Sequence, residues 1–163
     1  MTFKDPRHVD MIAPIVLEVL ELPTEPADTI GSYRDILLDR ICRELEKLVV
    51  IGKSKKAREN AQRADIPRDL SEYSWAKRSL LDGVHEDGFH FEHTETVYEI
   101  KRSLLTLANP TLAEVAAVLS RTRVTWVTKR ENERLDELGY KSRRPNWADA
   151  YKRAGIELDE GPE

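Results

Sequence analysis

The chain has little of what most enzyme signatures require. It holds one cysteine, Cys42, so no internal disulfide can form and no Cys-x-x-Cys metal clip exists. Its seven glycines are scattered. No Gly-rich phosphate loop results, which removes the common nucleotide-binding classes. Neither sign of charge dominates, with 26 Lys and Arg against 30 Asp and Glu, so contact with a polyanion has to come from a local patch. No apolar run approaches the roughly 20 residues needed to cross a bilayer. The longest, 12–22, is interrupted by Pro14, Glu18 and Glu21. With no signal peptide and a lone thiol in an apolar pattern, a reducing, cytoplasmic setting is expected, with no membrane partner.

What is present reads mainly as helix. A chain of 163 residues buries roughly two thirds of the surface its unfolded form exposes, enough for one core. Residues 6–22 place Val9, Ile12, Ile15, Val16, Val19 and Leu20 at helical spacing behind Asp5 and Pro6. Pro14 lacks an amide proton, so the spacing predicts a kink there or a start near Ala13. Pro23 and Pro26 end this helix. Ser32 with Asp35 resembles a capping box opening the longest helix, with Leu37, Leu38, Ile41, Cys42, Leu45, Leu48 and Val49 on its apolar stripe and Gly52 as its stop. Residues 53–68 form a polar helix with a small face of Ala57, Ala61 and Ala64, and a short helix is expected over 69–81. Thr96 with Glu99, Thr111 with Glu114 and Thr128 with Glu131 are three further capping boxes. Residues 123–127 alternate and are β-branched, predicting a short strand. A last helix starts at Asn146 and ends at Gly155. Trp75, Trp126 and Trp147 lie in apolar patterns and are expected to anchor the core.

The expected fold is therefore mainly α: a helix-rich single domain with a two-stranded β element at most, from 89–91 and 123–127. Its parts are an N-terminal helix and proline-rich linker over 1–27, a helical domain over 28–158 and a polar tail over 159–163.

Residues 82–99 gather three of the four histidines among carboxylates. Imidazole and carboxylate oxygens are usual ligands for zinc, manganese or magnesium in hydrolytic sites. His85, His90 and Glu92 are the candidate metal ligands, with His90 and Glu92 projecting to one side of a short strand and His93 to the other. His93 and Glu95 are the candidate catalytic pair, with a carboxylate as general base for water. The bland counterpart is an exposed acidic turn, since neither His-Glu-x-x-His nor any histidine after His93 occurs.

Two short resemblances attach to the same stretch. Asp82 followed by Glu99-Ile100-Lys101 resembles the nuclease core of an aspartate and a strand bearing Glu-x-Lys, although the Thr96 cap argues for helix there. His93, in Phe-Glu-His-Thr, resembles the first histidine of His-Asn-His nucleases over those few residues alone, without the later Asn and His.

Basic residues form two candidate nucleic-acid patches. One lies in the polar helix, with Lys55, Lys56 and Arg58 flanked by Lys53 and Arg63. The other contains Arg121, Arg123, Lys129, Arg130, Lys141, Arg143 and Arg144, where 111–119 would be the first helix of a helix-turn-helix. Against it stand the expected strand at 123–127 and the interspersed Glu131, Glu133, Asp136 and Glu137.

The leading expectation is a cytoplasmic, helix-rich, non-enzymatic binding protein of prokaryotic type that recognises a partner protein or nucleic acid through these patches. The alternative is a metal-dependent nuclease or other hydrolase, the one case that implies a cofactor, a divalent metal. A third expectation is a homo-oligomer, or one member of a toxin and antitoxin pair, docked through the helix over 6–22.

Overall fold

The computed structural model describes residues 3–22 and 33–159. Among them the chain runs α1 (Arg7–Glu21), α2 (Tyr33–Glu44), β1 (Ile51–Lys53), α3 (Lys55–Arg63), β2 (Phe89–His93), α4 (Val97–Leu105), α5 (Leu112–Leu119), β3 (Val124–Thr128), α6 (Lys129–Glu137) and α7 (Trp147–Ala154). Two compact units result, each built from two stretches of chain. The first contains Met1–Val49 and Glu95–Thr122, the second Val50–Thr94 and Arg123–Glu163.

The first unit is helical. α1 starts behind Pro6, whose φ of −54° already suits a helix, and runs through Pro14, so the helix does not begin near Ala13. Its buried row is Val9, Ala13 and Val16, the i, i+4, i+7 spacing of one face, and it packs on α5 and α2. Ile15, expected in that row, is exposed. α2 buries Leu38 and Cys42 and then tightens into a 3-10 turn, Leu45–Lys47, that sets Leu45 inside. Among the described residues it runs over 12 residues, against 15 for α1. Ser32, Pro23 and Pro26 lie outside the described residues. α4 and α5 begin as expected, with the Thr96 and Thr111 hydroxyls accepting from the Glu99 and Glu114 amides.

The second unit carries the sheet, and here the expected fold class is corrected. The sheet has three strands in the order β1-β3-β2, with β1 parallel and β2 antiparallel to β3. The missing strand was β1. Gly52, expected to stop a helix, instead pairs with Thr125, where an added Cβ would come within 3.2 Å of the Thr125 hydroxyl oxygen. The run Val49-Val50-Ile51 carried the signal, because β-branched side chains lose rotamer freedom in a helix and pack well in a strand. All five residues of β3 are buried. On one face Val127 joins Leu135, Ala150, Tyr151 and Ile156 in a core with α6 and α7. On the other, Trp126 meets Phe91 edge to face at 5.0 Å and donates its indole N–H to the Tyr73 carbonyl at 2.9 Å. Residues 69–81 form two 3-10 turns, Leu70–Glu72 and Trp75–Leu81, in place of the expected short helix.

No described helix is long and apolar enough to cross a membrane.

Candidate functional site

β2 sets the geometry of the histidine region. Its pleat puts His90 and Glu92 on one side, where His90 Nε2 lies 3.3 Å from Glu92 Oε2. The other Glu92 oxygen accepts from Arg144 Nη2 at 2.6 Å. Arg144 has no exposed side-chain surface. It also donates to the carbonyls of His93 and Thr94, at 3.1 and 3.2 Å, of Tyr140, at 2.8 Å, and of Lys141, at 3.5 Å. Burial alone would raise the Glu92 carboxyl, but the hydrogen bond from His90 and the charge and hydrogen bond of Arg144 outweigh it and hold Glu92 below the ordinary carboxylate range. Glu92 is therefore an ionised partner of a buried guanidinium.

The other candidate ligands are not drawn to the same point. His85 sits in the loop before β2, where its Nδ1 accepts from the Asp87 amide at 3.2 Å and its ring packs on Phe89. His93 projects from the opposite side of β2 to His90 and Glu92. The Glu95 carboxylate is held by Arg121, which also donates to the Ser103 hydroxyl at 3.1 Å. Among the described residues, no group of three or more His, Cys, Asp or Glu side chains could hold a metal ion. Glu99 and Lys101 lie on α4, so the strand that the Glu-x-Lys resemblance requires is absent, and Lys101 pairs with Asp35 at 3.0 Å. Cys42 is buried and its thiol is pushed up to about 12, chiefly by that burial, which leaves it un-ionised.

The basic residues are dispersed and largely engaged. On α3, Lys55 pairs with Glu157 and Arg58 with Asp159, at 2.8 and 2.7 Å. Arg123 lies over the Trp147 ring, 5.3 Å from its centroid, and the Lys129 side chain packs against Gly88. Lys141 is 3.8 Å from Asp136, and Arg143 is exposed in the loop before α7. Lys56 and Arg130 do come together, in a depression of about 400 Å³ that also takes in Glu133, Arg134 and Glu137. Its mixed charge is not that of a phosphate track. α5 is followed by β3 where a recognition helix would be needed, so no helix-turn-helix forms.

A different surface emerges on the first unit. Met11 and Tyr33 are 68% exposed, Ile15 57%, Ile36 53% and Leu37 42%. All lie on α1 or α2, and the two helices meet where Arg34 Nη1 reaches the Leu20 carbonyl at 3.4 Å. Apolar side chains exposed together on adjoining elements mark interaction surfaces more often than scattered single ones do. The sequence carried a signal for this. α1 bears apolar residues nearly all round, more than the single stripe of a surface helix can bury. Helical spacing places Ile15 and Leu37 on the apolar stripes of their helices, yet both are exposed.

Comparison of the chain with protein-family models, with curated proteins and with solved structures gives no match.

Proposed function

We propose that this chain is a non-enzymatic binding protein that recognises a partner protein through the exposed apolar face of α1 and α2. The observation that carries this is the exposure of Met11, Ile15, Tyr33, Ile36 and Leu37 on two adjoining helices. Burying such side chains against a partner is favourable by roughly 25 cal/mol per Å² of apolar surface removed from water. The nucleic-acid branch has less support, because Lys55, Arg58, Arg121 and Arg144 already hold carboxylates of this chain. So does the hydrolase alternative, because Glu92 is paired with Arg144 and no cluster of ligands converges among the described residues.

In-cell photo-crosslinking tests the proposal. A photoreactive residue is placed at Ile15, at Ile36 and, as a control of similar exposure in the second unit, at Leu80. The expected outcome is a discrete crosslinked species at the first two positions and none at the third. Equal yields at all three positions, or no product at any, would remove the proposed surface. A salt-dependent gel shift with duplex or single-stranded DNA would return nucleic acid as the partner.

A further inference from the structure

We infer that a cleft in the second unit binds a small aliphatic carboxylate. This goes beyond the recognition surface proposed above, which lies on the first unit, and neither reading depends on the other. The cleft measures about 310 Å³ and is lined by the last residue of β1, by α3 and by the segment that leads into the Leu70–Glu72 turn. That volume stands at the lower end of the range of small-molecule sites. Its charged groups are only partly satisfied. Lys53 is held by Asp69 and lies 3.9 Å from Asp159. Arg58, on a side chain 40% exposed, gives Nη1 to Asp159 at 2.7 Å, while its Nε is buried with no hydrogen-bond partner. The exposed side chains of Gln62 and Arg68 make no hydrogen bond or ion pair among the described residues.

Three cations, Lys53, Arg58 and Arg68, thus face two carboxylates, Asp69 and Asp159, and one positive charge is left over. It comes with unused N–H donors on Arg58 and Arg68, and a guanidinium offers its donors in a planar fork that a carboxylate matches bidentately. The rest of the lining is apolar, with Ile66, Pro67 and Leu70. These two features together select the ligand. An inorganic anion would leave the apolar wall in water, a neutral hydrocarbon would leave the excess charge unmet, and a polyphosphate would bring more negative charge than one cation balances. A hydrocarbon chain ending in one carboxylate meets both, with its charge at Arg58 and Arg68 and its chain on Ile66, Pro67 and Leu70.

Titration of the full ¹⁵N-labelled chain with hexanoate, followed by amide chemical shifts at constant ionic strength, tests the inference, with acetate, butyrate, hexanamide and inorganic phosphate as the comparison ligands. Hexanoate should give saturable, single-site shifts at the Gln62, Ile66 and Arg68 amides. Affinity should rise about twofold for each CH₂ added between acetate and hexanoate, less than for a fully buried methylene because the cleft is open on one side. Hexanamide, the same chain without the charge, should bind at least about 10-fold more weakly. Arg68→Gln should weaken hexanoate about 10-fold, whereas Lys56→Gln, which removes an exposed cation of α3 outside the cleft, should leave it unchanged. Both substitutions are at exposed positions, so the spectra of the variants should keep the dispersion of the wild type. No saturation up to about 50 mM, an affinity indifferent to chain length, or equal losses in the two variants would each overturn the inference. So would phosphate binding more tightly than hexanoate at the same amides, which would make the cleft a plain anion site.

Discussion

One four-residue device heads a helix in each unit, and the two copies are used differently. At the start of α5, Thr111 and Glu114 cap each other in the open, with both residues exposed. At the start of α6, Thr128 and Glu131 do the same while buried, and Glu131 also accepts from the Ser54 hydroxyl at 2.7 Å. Ser54 in turn caps α3 by accepting from the Ala57 amide. The first box serves only its own helix. The second ties α6 to a residue 77 positions away in sequence. The same contrast runs through both units. Ion pairs differ in the same way: in the second unit Glu92 is held by Arg144, which has no exposed side-chain surface, while in the first Glu95 is held by Arg121, whose side chain is 43% exposed. In the second unit such buried polar contacts join segments distant in sequence.

That contrast breaks most readily at Arg144. Arg144→Met leaves the Glu92 carboxylate buried beside His90 alone, and removing one partner of a buried pair costs about 3–5 kcal/mol. The matching change in the first unit, Arg40→Met, breaks only an exposed i,i+4 pair and should cost no more than about 0.5 kcal/mol. Urea denaturation of both variants measures the difference, and similar losses would end the comparison.

Glu131→Ala against Glu114→Ala is the next test. The former strands the Ser54 hydroxyl and the Thr128 amide in the interior, at about 1–3 kcal/mol for each group left unsatisfied. The latter exposes its freed groups to water and should cost about 1 kcal/mol or less. Equal shifts in urea midpoint would show that the buried box adds nothing to the exposed one.

Acid sharpens the picture of the second unit. Burial tends to raise Asp69, but hydrogen bonds from Lys53 and from the hydroxyl and amide of Ser71 outweigh it and lower the group to about 2. A carboxyl lowered by folding stabilises the native state above its unfolded value. That contribution is lost as pH falls through the folded value. For Asp69 the window runs from its ordinary 3.8 down to about 2, and Glu92, also lowered, adds to the same acid-side loss. Asp69→Asn should therefore flatten the fall of urea midpoint with pH across that window, and an unchanged slope would contradict it. The smallest effect is expected from Met11→Ser with Ile36→Ser, within about 0.5 kcal/mol of wild type in the same assay on dilute purified protein, because these exposed side chains bury little apolar surface within the chain.

Local chemistry made much of this fold legible. The caps at Thr96, Thr111, Thr128 and Asn146 all form, because a side-chain oxygen three residues before the backbone N–H it accepts from needs no tertiary partner to find it. β1 was hidden because three residues ending in a Gly-Lys step carry too short a pattern to oppose the helical stripe before them, and only pairing with β3 decides the matter. The paired state of Glu92 was hidden for a related reason, since Arg144 lies 52 positions away and reads in sequence as one of three basic loop residues. The exposed face of α1 was half legible. Periodicity shows an excess of apolar residues, but which of them face inward follows from the packing of α5 and α2.

The most direct test of the recognition surface uses a methyl group that sits on it. The chain has two methionines, so ¹³C-methyl labelling gives a spectrum in which Met11 is assigned by one Met11→Leu variant. A soluble paramagnetic chelate is added to dilute purified protein, to concentrated protein and to an extract of the source cells, and the broadening of the Met11 methyl is compared. Strong broadening in the dilute sample with protection in the concentrated sample or the extract is the predicted result. Equal broadening in all three would mean that nothing covers α1, and would contradict a binding role for this face.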